Sequence, residues 1–128
     1  MNALADDVRL AARHDVPYLL IGAGTNVLDS DRGIRGLVIH NRCRKHDLLP
    51  DGDEWGAGPA ILAESGAMMP HLAQAAASAG YAGLEWAVGV PGTVGGAVLG
   101  NAGAWGGSVA ESLRYTELAL PNGQLARL

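Results

Sequence analysis

A glycine-rich, uncharged segment constrains this chain more than any other feature of its sequence. Residues 88–107 read VGVPGTVGGAVLGNAGAWGG, with eight glycines and no charged side chain. Each glycine weakens a helix or strand that it interrupts, because it loses the most conformational freedom on folding. Such a density is useful where the main chain must lie directly against a ligand or against other main chain. At this point the sequence leaves both explanations open.

The composition predicts one folded domain, and the net charge argues against a nucleic-acid partner. The 128 residues are 48% hydrophobic and 17% charged, which is too apolar for a disordered chain. A formal net charge of −4 disfavours nucleic acid, which would require a basic face. Cys43 is the only cysteine, so no internal disulfide can form. The N-terminal sequence MNALADDVRL is acidic where a secretory signal would be basic, and we expect a cytoplasmic protein.

Residues 86–110 carry no charge over 25 positions, which is long enough to span a bilayer. Pro91, Asn101 and the glycines would leave such a helix poorly formed. No lysine or arginine flanks the segment closely enough to orient it. We therefore expect no membrane span. The four histidines show no ligand spacing, and we expect no metal site.

The first half of the chain predicts one helix and two short strands. Apolar residues at helical spacing within residues 2–16 predict a helix that ends before Pro17. The runs YLLIG (18–22) and GLVIH (36–40) read as strands. Residues 41–53 resemble a loop, and residues 61–63 give a weak strand signal.

The second half predicts a helix, a strand and a hairpin. MMPHLAQAAASAG (68–80) is the best helix candidate, since Pro70 suits a first turn and Gly80 a C-terminal cap. LEWAVGV (84–90) reads as a strand that leads into the glycine-rich segment, and TVGGAV (93–98) as the start of a helix. YTELAL-PNG-QLARL (115–128) reads as a hairpin. Without a strict βαβ rhythm, the fold class predicted is α+β.

The first chemistry-bearing pattern is GAGTN at residues 22–26, here called the first loop. Small residues after a strand let successive N–H groups converge on one anion, and Thr25 and Asn26 add side-chain donors. Val27 stands where a dinucleotide fingerprint would have its third glycine, and no G-K-[ST] follows as in a P-loop. Taken alone, the pattern favours a simple tight turn over a binding site.

The second pattern is PGTVGG at residues 91–96, here called the second loop, with Asn101, Gly103 and Ala104 beyond it. Amides at the start of a helix after Pro91-Gly92 would attract phosphate. No lysine or arginine lies between Lys45 and Arg114, so a diphosphate here would be held by main-chain amides and hydroxyls. Close packing of backbone on backbone is the alternative. Two glycine loops, each expected after a strand, suit an extended ligand with phosphates in its middle.

Other residues in these regions have plainer interpretations. Glu85 is the only carboxylate near the second loop, and capping of backbone amides is favoured over catalysis. Trp86 and Trp105 could each stack on a flat ring, although core filling is the favoured use. Cys43 has no assignable histidine partner, and we interpret it as structural or incidental.

At these motifs the chain resembles the UDP-N-acetylenolpyruvoylglucosamine reductase family, also called UDP-N-acetylmuramate dehydrogenase. LIGAGTNVLDSDRGIRGLVIHN (20–41) is similar to the L-G-x-G-S-N-x-L segment of that family. GLEWAVGVPGTVGGAVLGNAGAWGGSVAE (83–111) is similar to its G-L-E-x-x-x-G-I-P-G-T-V-G-G-A-x-x-x-N-A-G-A-Y-G-G segment. The second similarity is long and specific, and with the helix between the two it extends over nearly the whole chain.

The resemblance implies an FAD-binding domain of the vanillyl-alcohol-oxidase (PCMH) type. Family members use NADPH to reduce the flavin, which then passes a hydride to the enolpyruvyl group of a UDP-sugar, making UDP-N-acetylmuramate for peptidoglycan. Carried over by position, the residues expected to contact or lie near the FAD diphosphate are Gly22, Gly24, Thr25, Asn26, Pro91, Gly92, Thr93, Gly95, Gly96, Asn101, Gly103 and Ala104.

The chain also departs from the family pattern. Thr25, Trp86 and Trp105 stand where Ser, Phe and Tyr are usual. The catalytic arginine of a Tyr-Arg pair, the proton-donating serine and the glutamate of the family have no counterpart here, and we assign no catalytic residue. We expect residues 1–128 to be a partial FAD-binding domain, truncated at both ends and with little or no reductase activity by itself. A different oxidase of the same fold, a non-catalytic nucleotide-binding module and a purely structural domain are the alternatives.

Overall fold

The structure is a computed structural model that describes residues 3–122 and 124–128. It mixes short helices with five two-stranded sheets in the described part of the chain. In chain order the elements are α1 (Ala3–Arg13), β1 (Tyr18–Ile21), β2 (Leu37–His40), β3 (His46–Leu49), β4 (Gly52–Asp53), β5 (Gly56–Ala57), β6 (Ala60–Ala63), α2 (Met69–Ser78), a 3₁₀ helix (Glu85–Gly89), α3 (Val94–Leu99), β7 (Gly103–Ala104), β8 (Gly107–Ser108), α4 (Val109–Ser112), β9 (Glu117–Ala119) and β10 (Leu125–Arg127).

The N-terminal helix and the first two strands are confirmed. Helix α1 buries Ala5, Val8 and Ala11 along one face. Strand β1 pairs in parallel with β2, and the pair is extended at its far end by a hydrogen bond from Asn41 N to Ile21 O, at 2.8 Å. The first loop leaves the sheet at the carboxyl end of β1, which is where parallel strands commonly present ligand-binding residues.

The prediction that residues 41–53 form a loop is wrong. Strand β3 lies in this range and pairs antiparallel with β6, with His46 opposite Ala63 and Leu49 opposite Ala60. The short strand β4 pairs with β5 just beyond it. The segment 46–49 has no strong strand pattern of its own, and its extended form is stabilised by ladder hydrogen bonds to a strand distant in sequence. The weak strand signal at residues 61–63 is confirmed as part of β6.

Helix α2 ends as its sequence predicts. Gly80 has a φ of +75°, and its N–H donates to Ala77 O at 3.0 Å. Tyr81 N donates to Ala76 O at 2.8 Å, which completes a Schellman cap. Pro70 lies in the first turn, where its missing N–H has no helical partner to lose.

The prediction of a strand at residues 84–90 is also wrong, since Glu85–Gly89 form a 3₁₀ helix. Trp86 and Ala87 are adjacent and both buried, whereas a strand would send them to opposite faces. Glu85 Oε2 accepts a hydrogen bond from Gly83 N at 2.8 Å, so the interpretation as a backbone-capping carboxylate is confirmed. The second loop therefore follows a helical turn, and the helix predicted after it is confirmed as α3.

The core lies where α2, the 3₁₀ helix, α3 and α4 meet. Its buried members are Met69, Ala73, Trp86, Ala87, Ala97 and Val109. The indole of Trp86 fills the space beside Gly107, where an added Cβ would lie 2.6 Å from a ring atom. Its Nε1 donates to Ser112 Oγ at 3.2 Å. Core filling by Trp86 is thus confirmed.

The C-terminal hairpin is confirmed as the antiparallel pair β9–β10, although Gly123 of its turn lies outside the described residues. Arg127 lies over the rings of Trp55 and Tyr115, at 4.5 and 5.0 Å from their centroids, and so joins the hairpin to the β4–β5 turn. Desolvation raises the pKa of Tyr115, and the Asp53 carboxylate raises it further.

Among the described residues, no helix has the length and apolar character needed to cross a bilayer.

We expect Met69→Ala to lower the free energy of unfolding by about 2–5 kcal/mol, because Met69 is buried in this core. Leu99→Ala is the control, since Leu99 is a large apolar residue that is 91% exposed. Its substitution should change stability by no more than about 0.5 kcal/mol. Chemical denaturation measures both values, and equal losses would contradict the placement of the core.

Candidate functional site

The first loop presents a run of main-chain donors to solvent. Residues 23–26 are exposed and Gly22 is half-buried. Within the described part of the chain, none of the five N–H groups from Gly22 to Asn26 has a hydrogen-bond acceptor. Gly24 has a φ of +72°, a conformation that turns the chain sharply and that side chains rarely adopt. The loop can therefore offer several amides to one ligand.

The second loop is held by backbone hydrogen bonds to the segment that precedes α2. Met69 N donates to Gly92 O at 3.0 Å, and Val94 N donates to Ala67 O at 2.8 Å. Gly95 N donates to Ser65 O at 2.8 Å. These bonds fix the second loop in place, and they also occupy the first two amides of α3.

The amides of Val94 and Gly95 already have acceptors and are not free to bind a phosphate in this structure. The predicted contact of Gly95 with FAD stays a prediction. The N–H groups of Gly92, Thr93 and Gly96 have no acceptor within residues 3–122 and 124–128. These amides remain available in the second loop, together with the Thr93 hydroxyl.

The two loops touch each other. A methyl group built on Gly22 would collide with the hydroxyl of Thr93, and one built on Gly92 would lie 2.8 Å from Thr25 Oγ1. Both approaches depend on the absence of a Cβ, so close packing explains Gly22 and Gly92. Gly24 differs, because a Cβ there would meet nothing within 4 Å. Packing does not account for Gly24, but its positive φ does, and the open space beside it leaves the neighbouring amides accessible.

The second loop offers amides and a hydroxyl as donors and lies in a segment without cations. No lysine or arginine occurs from residue 46 to residue 113. Arg114, the next cation, donates to the carbonyl oxygens of Gly56, Ala57, Gly58 and Pro59 at 2.8–3.2 Å. Its guanidinium is thereby committed to the β5–β6 connection. A diphosphate on the two loops would be met by neutral donors, which the residues present can supply.

Asn101, Gly103 and Ala104 lie at the opposite end of α3 from the second loop. Asn101 Oδ1 accepts a hydrogen bond from Ala110 N at 2.9 Å. Gly103 and Ala104 form β7, and a Cβ on Gly103 would lie 2.7 Å from Gly107 O. These residues shape a turn and a hairpin. Their predicted contact with FAD stays a prediction.

Sequence reasoning missed the residues that position the second loop. Asn41 is buried, donates from Nδ2 to Ser65 Oγ at 2.8 Å and accepts from Cys43 N at 3.0 Å. Gly66 packs against this turn, where a Cβ would lie 2.8 Å from Asn41 Oδ1. Ser65 in turn holds Gly95 through its carbonyl. A single asparagine after a strand gives no signal of this role, because its partner is 24 residues away.

The interpretation of Trp105 as a core-filling residue is wrong. Its side chain is 93% exposed at the tip of the β7–β8 hairpin, whereas Trp86 is 8% exposed. The hairpin turn between β7 and β8 holds Trp105 away from the core that Trp86 fills. The two indoles flank a groove beside the 3₁₀ helix.

The FAD-binding domain family matches residues 1–128, which is the entire chain. The chain belongs to the FAD-binding domain family. The predicted α+β FAD-binding fold and its cofactor, FAD, are confirmed by this match and by a similar solved structure. The crystal structure of UDP-N-acetylenolpyruvylglucosamine reductase from Thermus caldophilus is similar at a TM-score of 0.72 and 31% identity, over 97% of this chain and 42% of that one.

Curated relatives carry the same reductase name. The UDP-N-acetylenolpyruvoylglucosamine reductase of Rubrobacter xylanophilus is 44% identical over all of this FAD-binding domain and 41% of its own length. That of Synechococcus sp. (strain RCC307) is 48% identical over 88% of this domain and 36% of its own length. The predicted resemblance is confirmed. The domain spans about two fifths of the length of these relatives.

We expect the loops of this FAD-binding domain to be energetically coupled through Gly22 and Thr93. Gly22→Ala should destabilise the fold, because its methyl group meets the Thr93 hydroxyl. Thr93→Ala removes that hydroxyl, so the double variant should be more stable than the sum of the single effects allows, by about 0.5–3 kcal/mol. A double-mutant cycle of unfolding free energies measures the coupling. Strict additivity would mean that the loops do not touch.

Proposed function

We propose that this domain is the FAD-binding part of an NADPH-dependent reductase that converts UDP-N-acetylglucosamine enolpyruvate to UDP-N-acetylmuramate in peptidoglycan synthesis. The observation that carries the proposal is the contact between two glycine loops whose amides lack acceptors in the described part of the chain. The reductase names of the relatives support the choice of activity, and the extent of the second motif distinguishes it from an oxidase of the same fold.

The residues proposed to hold the FAD diphosphate fall into two groups. In the first loop, amides of Gly22, Gly24 and Asn26 donate, with the hydroxyl of Thr25. In the second loop, amides of Gly92 and Gly96 donate, with the hydroxyl of Thr93. Hydrogen bonds from amides to an ionised oxygen are stronger than those to a neutral one, so several neutral donors can replace an arginine.

The remaining predicted contacts are proposed with a smaller role. Pro91 and Gly95 shape the second loop, since the Gly95 amide already bonds to Ser65 O.

When bound, FAD supplies hydride transfer, and the protein supplies binding and orientation. We propose that the Tyr-Arg pair, serine and glutamate of the reductase lie outside the 128 residues. NADPH and the UDP-sugar are proposed as partners of the whole reductase, and the cytoplasm as its compartment, where a single free cysteine is compatible with reducing conditions.

We expect Gly24→Ala to weaken FAD binding about tenfold or more, because its methyl group would separate the ligand from the amides. Gly33→Ala is the matched control. Both glycines have φ near +70° and open space around the missing Cβ, so alanine should cost each a similar 1–2 kcal/mol or so of stability. Titration of the full chain with FAD, followed by flavin fluorescence, gives the affinities. Equal affinities for the two variants would contradict the amide surface.

A second control tests whether cations contribute. Arg32 is an exposed arginine that follows the first loop in sequence. Arg32→Gln should leave FAD affinity unchanged, since neutral donors hold the diphosphate in this proposal. A loss of about tenfold would show that a guanidinium, with its stronger charged hydrogen bonds, carries the binding.

We expect the FAD-loaded 128-residue chain to be yellow and to show little or no NADPH-dependent reduction of the UDP-sugar. The physical reason is that flavin binding alone provides no positioned proton donor. Absorbance of the purified protein and the rate of flavin bleaching after NADPH and UDP-sugar addition measure this. A colourless protein that binds ADP as well as FAD would favour a nucleotide-binding module, and substrate turnover would place the catalytic residues within this chain.

A further inference from the structure

Trp105 occupies a position that neither packing nor turn chemistry explains. Strands β7 and β8 pair Ala104 with Gly107, which leaves Trp105 and Gly106 as a two-residue turn. Both have positive φ, at +53° and +84°, which is the geometry of a type I′ turn. That turn favours Asn-Gly, and a bulky residue at positive φ is strained. The indole is 93% exposed, so burial does not offset the strain.

A groove lies directly beside this indole. It has a volume of about 420 Å³ and is lined by Gly83, Glu85, Trp86, Trp105, Gly106 and Gly107. This volume falls within the range of small-molecule sites. Gly83 and Gly106 are exposed at this groove, so main chain is accessible beside the indole and a flat ring can approach closely.

The groove has a hydrogen-bond acceptor and no cation. Glu85 uses Oε2 to accept from Gly83 N, and its Oε1 has no partner among the residues that the structure describes. A carboxylate without a neighbouring lysine or arginine repels phosphate and attracts an N–H donor. The chemistry therefore suits the uncharged, ring end of a nucleotide.

We propose that Trp105 is a stacking platform for a planar heteroaromatic ring that carries an N–H donor, with the free oxygen of Glu85 as the acceptor for that donor. The inference rests on the proposed function, because FAD, NADPH and a UDP-sugar each contain such a ring. Aromatic rings stack on indoles through offset contacts of their π faces. The groove would then hold one end of a bound dinucleotide or of the UDP-sugar.

Trp105→Asn tests the proposal, because asparagine suits the turn and cannot stack. We expect this variant to keep or raise the free energy of unfolding, and to weaken binding of the ring-bearing ligand about 5- to 100-fold. Trp105→Tyr retains a stacking face and should restore most of the affinity. Three titrations identify the ring: FAD into the full chain, then NADP⁺ and then UDP-N-acetylglucosamine into the FAD-loaded chain.

Each outcome has a defined meaning. A selective loss in one titration, with recovery in the Trp105→Tyr variant, supports the proposal and names the ring. Unchanged affinity in every titration in which the unsubstituted chain binds the ligand overturns it while leaving the proposed function intact. Failure of the unsubstituted chain to bind FAD overturns the proposed function itself. Self-association that sedimentation detects in the unsubstituted chain and not in Trp105→Asn, with unchanged ligand binding, would instead assign the indole to a contact between copies.

Discussion

The close approach of two main-chain loops is the constraint on which the candidate site depends. Gly22 and Gly92 lie against Thr93 and Thr25, and neither approach leaves space for a Cβ. Contact at this distance places two sets of amides on one surface, although the loops are separated by more than 60 residues. The free energy of this arrangement comes from elsewhere, because each glycine is costly to order.

The anchor of that contact is the segment from Ser65 to Met69. Its carbonyls accept from Val94 and Gly95, and its Met69 amide donates to Gly92. Asn41 and Gly66 hold the segment itself. Backbone donors nearest the core are therefore satisfied internally, while donors at the rim have no acceptor in the described residues and remain available to solvent or to a ligand.

The two arginines of the C-terminal region make their contacts away from the glycine-rich segment. The only arginine near the C-terminal side of the glycine segment, Arg114, bonds to four carbonyls of the β5–β6 connection, and Arg127 lies over Trp55 and Tyr115. Both cations join the C-terminal hairpin to the middle of the chain. The second loop and the Trp105 groove therefore have neutral donors and one carboxylate, which separates the proposed phosphate-binding surface from the proposed ring-binding groove.

The sequence by itself determined the elements whose signals are local. The periodicity of α1, the Pro70 and Gly80 ends of α2 and the apolar strands β1 and β2 follow from neighbouring residues, and so do the two glycine motifs. Tertiary structure decided the rest, because the cause lies in distant partners. Residues 46–49 became a strand through pairing with β6, residues 85–89 a 3₁₀ helix through burial of Trp86 beside Ala87, and Trp105 an exposed ring through the turn between β7 and β8. The occupation of the Val94 and Gly95 amides was likewise decided by carbonyls 27 and 30 residues away, which no local pattern encodes.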